Sequence, residues 1–187
     1  VEAGAGAGKT TLLVEYSKKW KSRALYLSFN RAIADEANKR FPNNVKAMTA
    51  HSYAYKAMNV GRYKDRLKAK IRRQDLRDSG LNFDTPYMSE DRVISAVLKG
   101  IERFTNDAGS ELTPLHCGLE YAPSSTLKNV MPVVAKAVLA FINYETSSLP
   151  FTHDCYLKQL EMNGTMGEEF DYILVDEAQD LNPILLS

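Results

Sequence analysis

The sequence predicts an α/β protein whose parallel sheet is interrupted by a long, mainly helical insertion. Three observations carry that expectation. A Gly/Ala-rich loop, Val-Glu-Ala-Gly-Ala-Gly-Ala-Gly-Lys-Thr-Thr from Val1 to Thr11, leads into apolar residues of helical period. Two short apolar runs, Ala24–Phe29 and Val45–Met48, flank another helical segment, which is a β-α-β alternation with right-handed crossovers. The alternation stops after about Met58 and resumes at Tyr172, where a buried-strand pattern meets a pair of carboxylates.

The front loop is built for phosphates. Ala3 to Thr10 fits the P-loop pattern, with Ala where the first Gly usually stands. Gly4, Gly6 and Gly8 leave no side chain between successive backbone N–H groups and an anion. Lys9 would reach the β- and γ-phosphates, and the Thr10 hydroxyl would bind Mg²⁺. The candidate ATP-binding set is therefore Ala3, Gly4, Ala5, Gly6, Ala7, Gly8, Lys9, Thr10 and Thr11. Leu12, Leu13, Tyr16 and Trp20 then recur at helical spacing, so a helix N-terminus adds its dipole to the anion site. The helix that follows argues against a flexible Gly/Ala linker.

The back motif, Asp-Tyr-Ile-Leu-Val-Asp-Glu-Ala-Gln-Asp from Asp171 to Asp180, supplies what the front lacks. Tyr172 to Val175 suits a buried parallel strand, and Asp176 and Glu177 follow at its carboxyl end, the edge where open α/β sheets bind ligands. Asp176 would hold Mg²⁺ through water. Glu177 would orient and deprotonate an attacking water, and Gln179 is placed to sense the γ-phosphate. Alone, this segment could be an acidic turn after a strand; the P-loop gives it a purpose.

Composition narrows less. With 187 residues the chain has room for one core and a small second one, and 44% hydrophobic residues is ordinary for a globular chain. A net charge of +1 gives no global attraction to nucleic acid. Two cysteines, Cys117 and Cys155, make no disulfide framework and suit a reducing compartment. No apolar run of membrane-spanning length is read, so no membrane contact is expected. Val1 is expected to fall inside the strand that leads into the P-loop, so nothing is read about an N-terminal address.

In the intervening stretch, Arg31 to Phe41 has Ile33, Ala37 and Phe41 four apart, and Pro42-Asn43-Asn44 forms a turn. Ser89 can cap a helix carrying Val93, Ile94, Val97, Leu98, Ile101 and Phe104 on one face. A second helix carries Val130, Val134, Val138, Phe141 and Ile142, and Asp107 to Ser125 between them is a Gly/Pro/Ser-rich loop. Lys56 to Arg77 holds nine Lys/Arg against two Asp/Glu, with Tyr53, Tyr55 and Tyr63 nearby. Cations and aromatic faces together suit single-strand binding, though a solvated basic helix face has the same composition. His116-Cys117 and His153-x-Cys155 fit common zinc spacings poorly and are read as packing residues.

The spelling of the two end motifs resembles superfamily 1 helicases of the UvrD/Rep type. Leu25 to Ala37 (LYLSFNRAIADEA) looks like their motif Ia, and Thr49-Ala50-His51-Ser52 looks like their motif Ib, with Ala50 where Phe is usual. Phe29-Asn30, the Phe41-Pro-x-Asn-Val45 run and Thr152-His-Asp-x-Tyr-Leu-Lys158 are similar to the F-box DNA helicase branch, while Asn59 to Pro150 matches loosely. The resemblance implies a RecA-like core at residues 1–58, a helical DNA-contacting insertion at 59–165 and a return to the core at 166–187. It implies DNA contacts at Phe29, Asn30, Arg31, Thr49, His51, Ser52 and Tyr53, and favours DNA over a merely solvated face for the basic stretch.

The expected function is ATP-dependent translocation on single-stranded DNA, 3′ to 5′, and unwinding at single-strand/duplex junctions. Glu177, Lys9 and Gln179 are the catalytic candidates and ATP with Mg²⁺ the cofactors; recombination or repair proteins are possible partners. The compartment would be the nucleus in a eukaryote or the nucleoid in a prokaryote. The resemblance also implies arginines from a second RecA-like domain, so residues 1–187 alone are expected to turn ATP over very slowly. A translocase that strips recombination proteins from DNA, a nucleotide-gated scaffold and a P-loop phosphotransferase are the alternatives.

Overall fold

The computed structural model describes residues 9–28, 30–164 and 170–175. Ala24–Ser28 (β1) is the middle of a three-stranded parallel sheet, flanked by Val45–Thr49 (β2) and Tyr172–Val175 (β3) in the order β2-β1-β3. Ala24 stands opposite both Val45 and Tyr172; Ser28 stands opposite Thr49, and Leu27 opposite Val175. Every residue of β1 is buried, which explains why Ala-Leu-Tyr-Leu-Ser shows no polar alternation. The expected β-α-β order is present, with Arg31–Arg40 (α2) between β1 and β2.

The two faces of the sheet pack differently. Ala24, Tyr26, Val45 and Ala47 face one layer with Ala37 and Phe41 from the α2 side and Val14 from Lys9–Ser17 (α1). Leu25, Leu27 and Met48 face the other and join the core of the helical segment. The period-2 alternation of the strands therefore divides one sheet between two layers.

The helix after the Gly-rich loop forms, but its apolar residues do not face inward as a set. Leu12 and Tyr16 are half-exposed and Trp20 lies beyond the helix, while Val14 and Ser17 are the buried pair. Ser17 is tolerated because its Oγ donates to Val14 O at 2.8 Å. Tyr16, Trp20 and Tyr172 meet edge to face, with ring centroids 4.5 and 4.7 Å apart.

Between β2 and β3 the described chain is helical. Ala50–Ala57 (α3) is followed by a 3-10 helix at Val60–Arg66, then Arg73–Arg77 (α4), Glu90–Phe104 (α5), Pro114–Cys117 (α6), Ser124–Ile142 (α7) and His153–Asn163 (α8). Ser89 does precede α5, but its side chain makes no capping bond. Glu90 and Asp91 in the first turn and Arg103 in the last complement the helix dipole. The 107–125 loop contains α6, whose four residues are too few to show a period. α7 is long and apolar enough, by length and composition, to cross a membrane, which corrects the sequence expectation. Here Val130, Val134, Val138 and Phe141 form its buried stripe, and α5 is its main neighbour.

The ends of this segment are tied together. Lys68 N donates to Phe151 O at 2.8 Å and Phe151 N to Arg66 O at 3.2 Å. Tyr144 stacks on Phe151 with centroids 4.3 Å apart and donates its hydroxyl to Met58 O at 3.2 Å. Lys158 is fully buried: its Nζ donates to Asp107 O at 2.8 Å, to Gly109 O and to Glu161 Oε2 at 2.7 Å, and lies 4.2 Å from the Phe104 ring centroid. A charge so buried is tolerable because each N–H has an acceptor.

At Gly100 α5 lies close against α7: a Cβ there would stand 2.8 Å from Val138 Cγ2 and 3.2 Å from Cys117 Sγ. Gly→Ala in a helix interior usually gains about 1 kcal/mol. Here the stiff, β-branched Val138 cannot yield, and overpacking costs about 1–3 kcal/mol. Gly100→Ala is therefore expected to lower unfolding stability by about 1 kcal/mol in urea denaturation; a gain in stability would contradict this packing.

Candidate nucleotide and DNA site

The parallel register delivers three strand ends to one edge of the sheet. β1 ends at Ser28, whose Oγ donates to Asn30 O at 2.9 Å. Asn30 is the N-cap of α2, its Oδ1 accepting from Ile33 N at 2.9 Å. The cap occupies the Asn30 oxygen. Arg31, the first residue of α2, extends into solvent 3.8 Å from Asp35. Phe29 lies outside the described residues.

β2 ends at Thr49, the N-cap of α3. Its Oγ1 accepts from Ser52 N at 3.1 Å and donates to Ser52 Oγ at 2.8 Å. Capping fixes the Thr49–Ser52 turn and leaves Ser52 exposed. His51 is half-exposed, its Nε2 lying 3.4 Å from Asp154 Oδ1. Tyr53 points the other way: it is buried, 6.3 Å from the Phe170 ring centroid, and offers no free face for stacking. Its place on α3, two residues beyond His51, turns it into the core. Asn30, Arg31, Thr49, His51 and Ser52 are thus assembled at the edge; Tyr53 is not.

On the nucleotide side, α1 begins at Lys9, with Thr10 half-buried in its first turn. The Thr11 hydroxyl accepts from Arg40 Nη2 at 3.0 Å. β3 ends at Val175, the residue that precedes Asp176 in sequence. Ala3, Gly4, Ala5, Gly6, Ala7, Gly8, Asp176, Glu177 and Gln179 lie outside the described residues.

The basic stretch divides into struts and free cations. Arg66 donates to Tyr144 O at 2.8 Å, Leu149 O at 3.1 Å and Ser147 O, and its guanidinium lies 5.2 Å from the Tyr63 ring centroid and 5.8 Å from that of Phe151. Lys68 pairs with Asp75. Burial opposes that carboxylate's charge, but Lys68 and the Arg72 N–H outweigh it and hold the Asp75 carboxyl below its ordinary value. Arg77 reaches Asp91 Oδ1 at 2.9 Å, and Arg73 lies 3.6 Å from the same oxygen. Lys56, Arg62, Lys64 and Lys70 are exposed and make no side-chain hydrogen bond or ion pair among the described residues.

Both cysteines are free and buried. Burial pushes Cys117 up to about 11, against a smaller opposing effect of Arg103, and also raises Cys155. His116 joins Asp107 Oδ2 through Nε2 at 3.0 Å and accepts from Thr113 N through Nδ1 at 2.9 Å. Among the described residues no cluster of three or more His, Cys, Asp or Glu side chains could hold a metal.

Comparison with known proteins supplies what geometry alone does not. The model of the UvrD/REP helicase N-terminal domain matches residues 1–187. The chain belongs to this family. It is similar to F-box DNA helicase protein 1 of Schizosaccharomyces pombe (strain 972 / ATCC 24843), 32% identical over 209 residues that cover 100% of this chain and 23% of that protein. It is also similar to F-box DNA helicase 1 of Gallus gallus, 27% identical over 207 residues, covering 100% and 20% of the two chains. The chain therefore spans less than a quarter of the length of these curated relatives. No solved structure shows a significant match.

Two features of this UvrD-like domain escape sequence reasoning. Arg66 is a strut rather than part of a uniform basic face, and its partners lie some eighty residues away. The side chains around His51 come from α8, within the Thr152–Lys158 run whose spelling stands out but carries no role by itself. Arg66→Ala should cost about 2 kcal/mol, because three carbonyls lose a charged donor, whereas Lys64→Ala should stay within about 0.5 kcal/mol. Equal losses in thermal or urea unfolding would contradict this division.

Proposed function

We propose that this domain binds ATP–Mg²⁺ and single-stranded DNA and that the whole protein couples ATP hydrolysis to 3′-to-5′ translocation and unwinding. One observation carries the nucleotide part: α1 opens at Lys9 directly after the Ala3–Gly8 run, and β3, parallel to the strand beside it, ends at Val175 directly before Asp176-Glu177. This arrangement fits a nucleotide with its metal, since a helix N-terminus favours an anion and hard oxygen ligands suit Mg²⁺.

In this assignment the backbone N–H groups of Ala3 to Gly8 and the Lys9 ammonium hold the phosphates, with Thr11 beside them. The Thr10 hydroxyl and the Asp176 carboxylate would hold Mg²⁺, which when bound neutralises charge on the phosphate oxygens. Glu177 orients a water for in-line attack and takes its proton. Gln179 contacts the γ-phosphate side of the site. Phe29, Asn30, Arg31, Thr49, His51 and Ser52 form the DNA edge, and exposed Lys56, Arg62, Lys64 and Lys70 extend its positive charge into the helical residues 59–165.

Membership in the helicase family sets the phosphotransferase alternative aside. The relatives' printed name, F-box DNA helicase, and their eukaryotic sources support a DNA substrate and a nuclear location. Single-strand/duplex junctions are the expected substrates and repair or recombination proteins the expected partners. Strand displacement measured beside disassembly of a recombinase filament separates unwinding from stripping.

In the whole protein, Lys9→Ala and Glu177→Gln should each lower ATP hydrolysis by at least about 10²-fold, the usual contribution of a positioned base or charge. Glu177→Gln should keep nucleotide affinity, read with a fluorescent ATP analogue. An active Glu177→Gln enzyme would remove Glu177 as the base.

A further inference from the structure

The first turn of α8 lies against His51, one of the side chains assigned to DNA. His51 Nε2 lies 3.4 Å from Asp154 Oδ1. The rings of His153 and Tyr156 approach the His51 ring near-perpendicular, with centroids 6.4 and 6.3 Å away. His153 Nδ1 and the Tyr156 hydroxyl are 2.8 Å apart. Burial, then Asp154 and Tyr55, push the Tyr156 hydroxyl up to about 12, and its hydrogen bond with His153 Nδ1 holds the two rings together. One carboxylate and two ring edges, all from a single helical turn, thus set the orientation of His51.

The partnership is selective. Asp154 also lines a cavity of about 340 Å³ that Lys70, Lys99 and Glu102 share, yet among the described residues its side-chain partner is His51. His51 Nδ1 makes no hydrogen bond among the described residues, and the side chain keeps 45% of its exposure. The same run also serves the core: Leu157 and Lys158 are buried, and Lys158 pins the 107–109 loop.

We propose that Asp154 is a positioning residue for single-stranded DNA. An imidazolium has two N–H donors. In the DNA complex the ring would bridge two anions as that imidazolium, Nε2 donating to Asp154 and Nδ1 to a phosphate oxygen of the strand. This rests on the assignment of His51 to DNA contact, and it gives the Thr152–Lys158 run a role: the helical segment orients a contact that the sheet edge presents.

The effect has a sign that simple charge counting does not share. Removing a carboxylate near bound phosphates should strengthen binding if Asp154 acts only through its charge. Positioning predicts the opposite. In the whole protein, fluorescence anisotropy with a labelled oligothymidylate should show Asp154→Asn binding about two- to fivefold weaker, the scale of a partly exposed pair. His51→Ala should weaken binding at least as much, and His51→Ala combined with Asp154→Asn should match His51→Ala alone. Asp154→Glu, which keeps the acceptor and the charge, should bind more tightly than Asp154→Asn.

Unchanged or tighter binding by Asp154→Asn, additive losses in the double variant, or no advantage of Glu over Asn would each overturn the proposal. If His51→Ala itself binds normally, the DNA assignment of His51 falls and the role of Asp154 falls with it. If His51→Ala weakens binding while Asp154→Asn does not, the DNA assignment stands and only the positioning role is lost.

Discussion

Two parallel ladders on one buried strand hold everything else in place. β1 is covered on both faces and paired on both edges, so its position is over-determined by burial and by backbone hydrogen bonding. Because both ladders are parallel, the carboxyl ends of β1, β2 and β3 share one edge. That single constraint gathers Asn30 and Arg31 from the β1–α2 junction and Thr49, His51 and Ser52 from the β2–α3 junction. It also sets the point from which the Asp176-Glu177 pair continues in sequence. Residues more than a hundred positions apart become neighbours without any contact of their own having to carry the cost of closing the chain.

The helical segment is coupled to that edge rather than merely attached to it. Leu25, Leu27 and Met48 from the sheet share one apolar core with α3, α5, α7 and α8. Asp154 reaches His51 at that edge, while Tyr144 to Met58 O and Arg66 to the 144–149 turn tie the ends of the segment together. Burial supplies most of the stabilisation, at about 2 kcal/mol for a fully buried Leu or Ile side chain. The polar links add little individually, but they fix which turns of the chain meet. The same economy appears in the basic stretch, where Arg66, Lys68, Arg73 and Arg77 hold structure and exposed Lys56, Arg62, Lys64 and Lys70 keep their charge for solvent or a ligand.

Much of the sheet was legible because its signals are local. An all-apolar strand, an Asn or Thr cap and a four-residue helical period need only a short window to recognise. Ser89–Phe104 and the Val130–Ile142 stripe were equally plain, since both helices bury one face over several turns. The 3-10 helix, α4 and α6 were not, being shorter than the period that would betray them. α1 illustrates another limit: the spacing of Leu12, Tyr16 and Trp20 indicates a helix but not which side faces inward, and Val14 with Ser17 took that place. Tyr53 and Tyr55 look alike beside a basic run, yet only position on α3 puts Tyr53 in the core. Pairings such as Arg66 with Tyr144 or His51 with Asp154 span distances along the chain at which sequence pattern carries no information. The residues of the P-loop and of the acidic pair were read from their chemistry, and their roles rest on that chemistry and on the elements that border them.

The central claim is that nucleotide chemistry and a DNA strand meet at one sheet edge and are therefore coupled. The most direct measurement is steady-state ATP hydrolysis by the whole protein, titrated with single-stranded DNA free of secondary structure. The account predicts a saturable rise in turnover whose midpoint follows DNA affinity and moves to higher DNA concentration as salt is added. Hydrolysis that is indifferent to DNA across the range where the strand is demonstrably bound would contradict it.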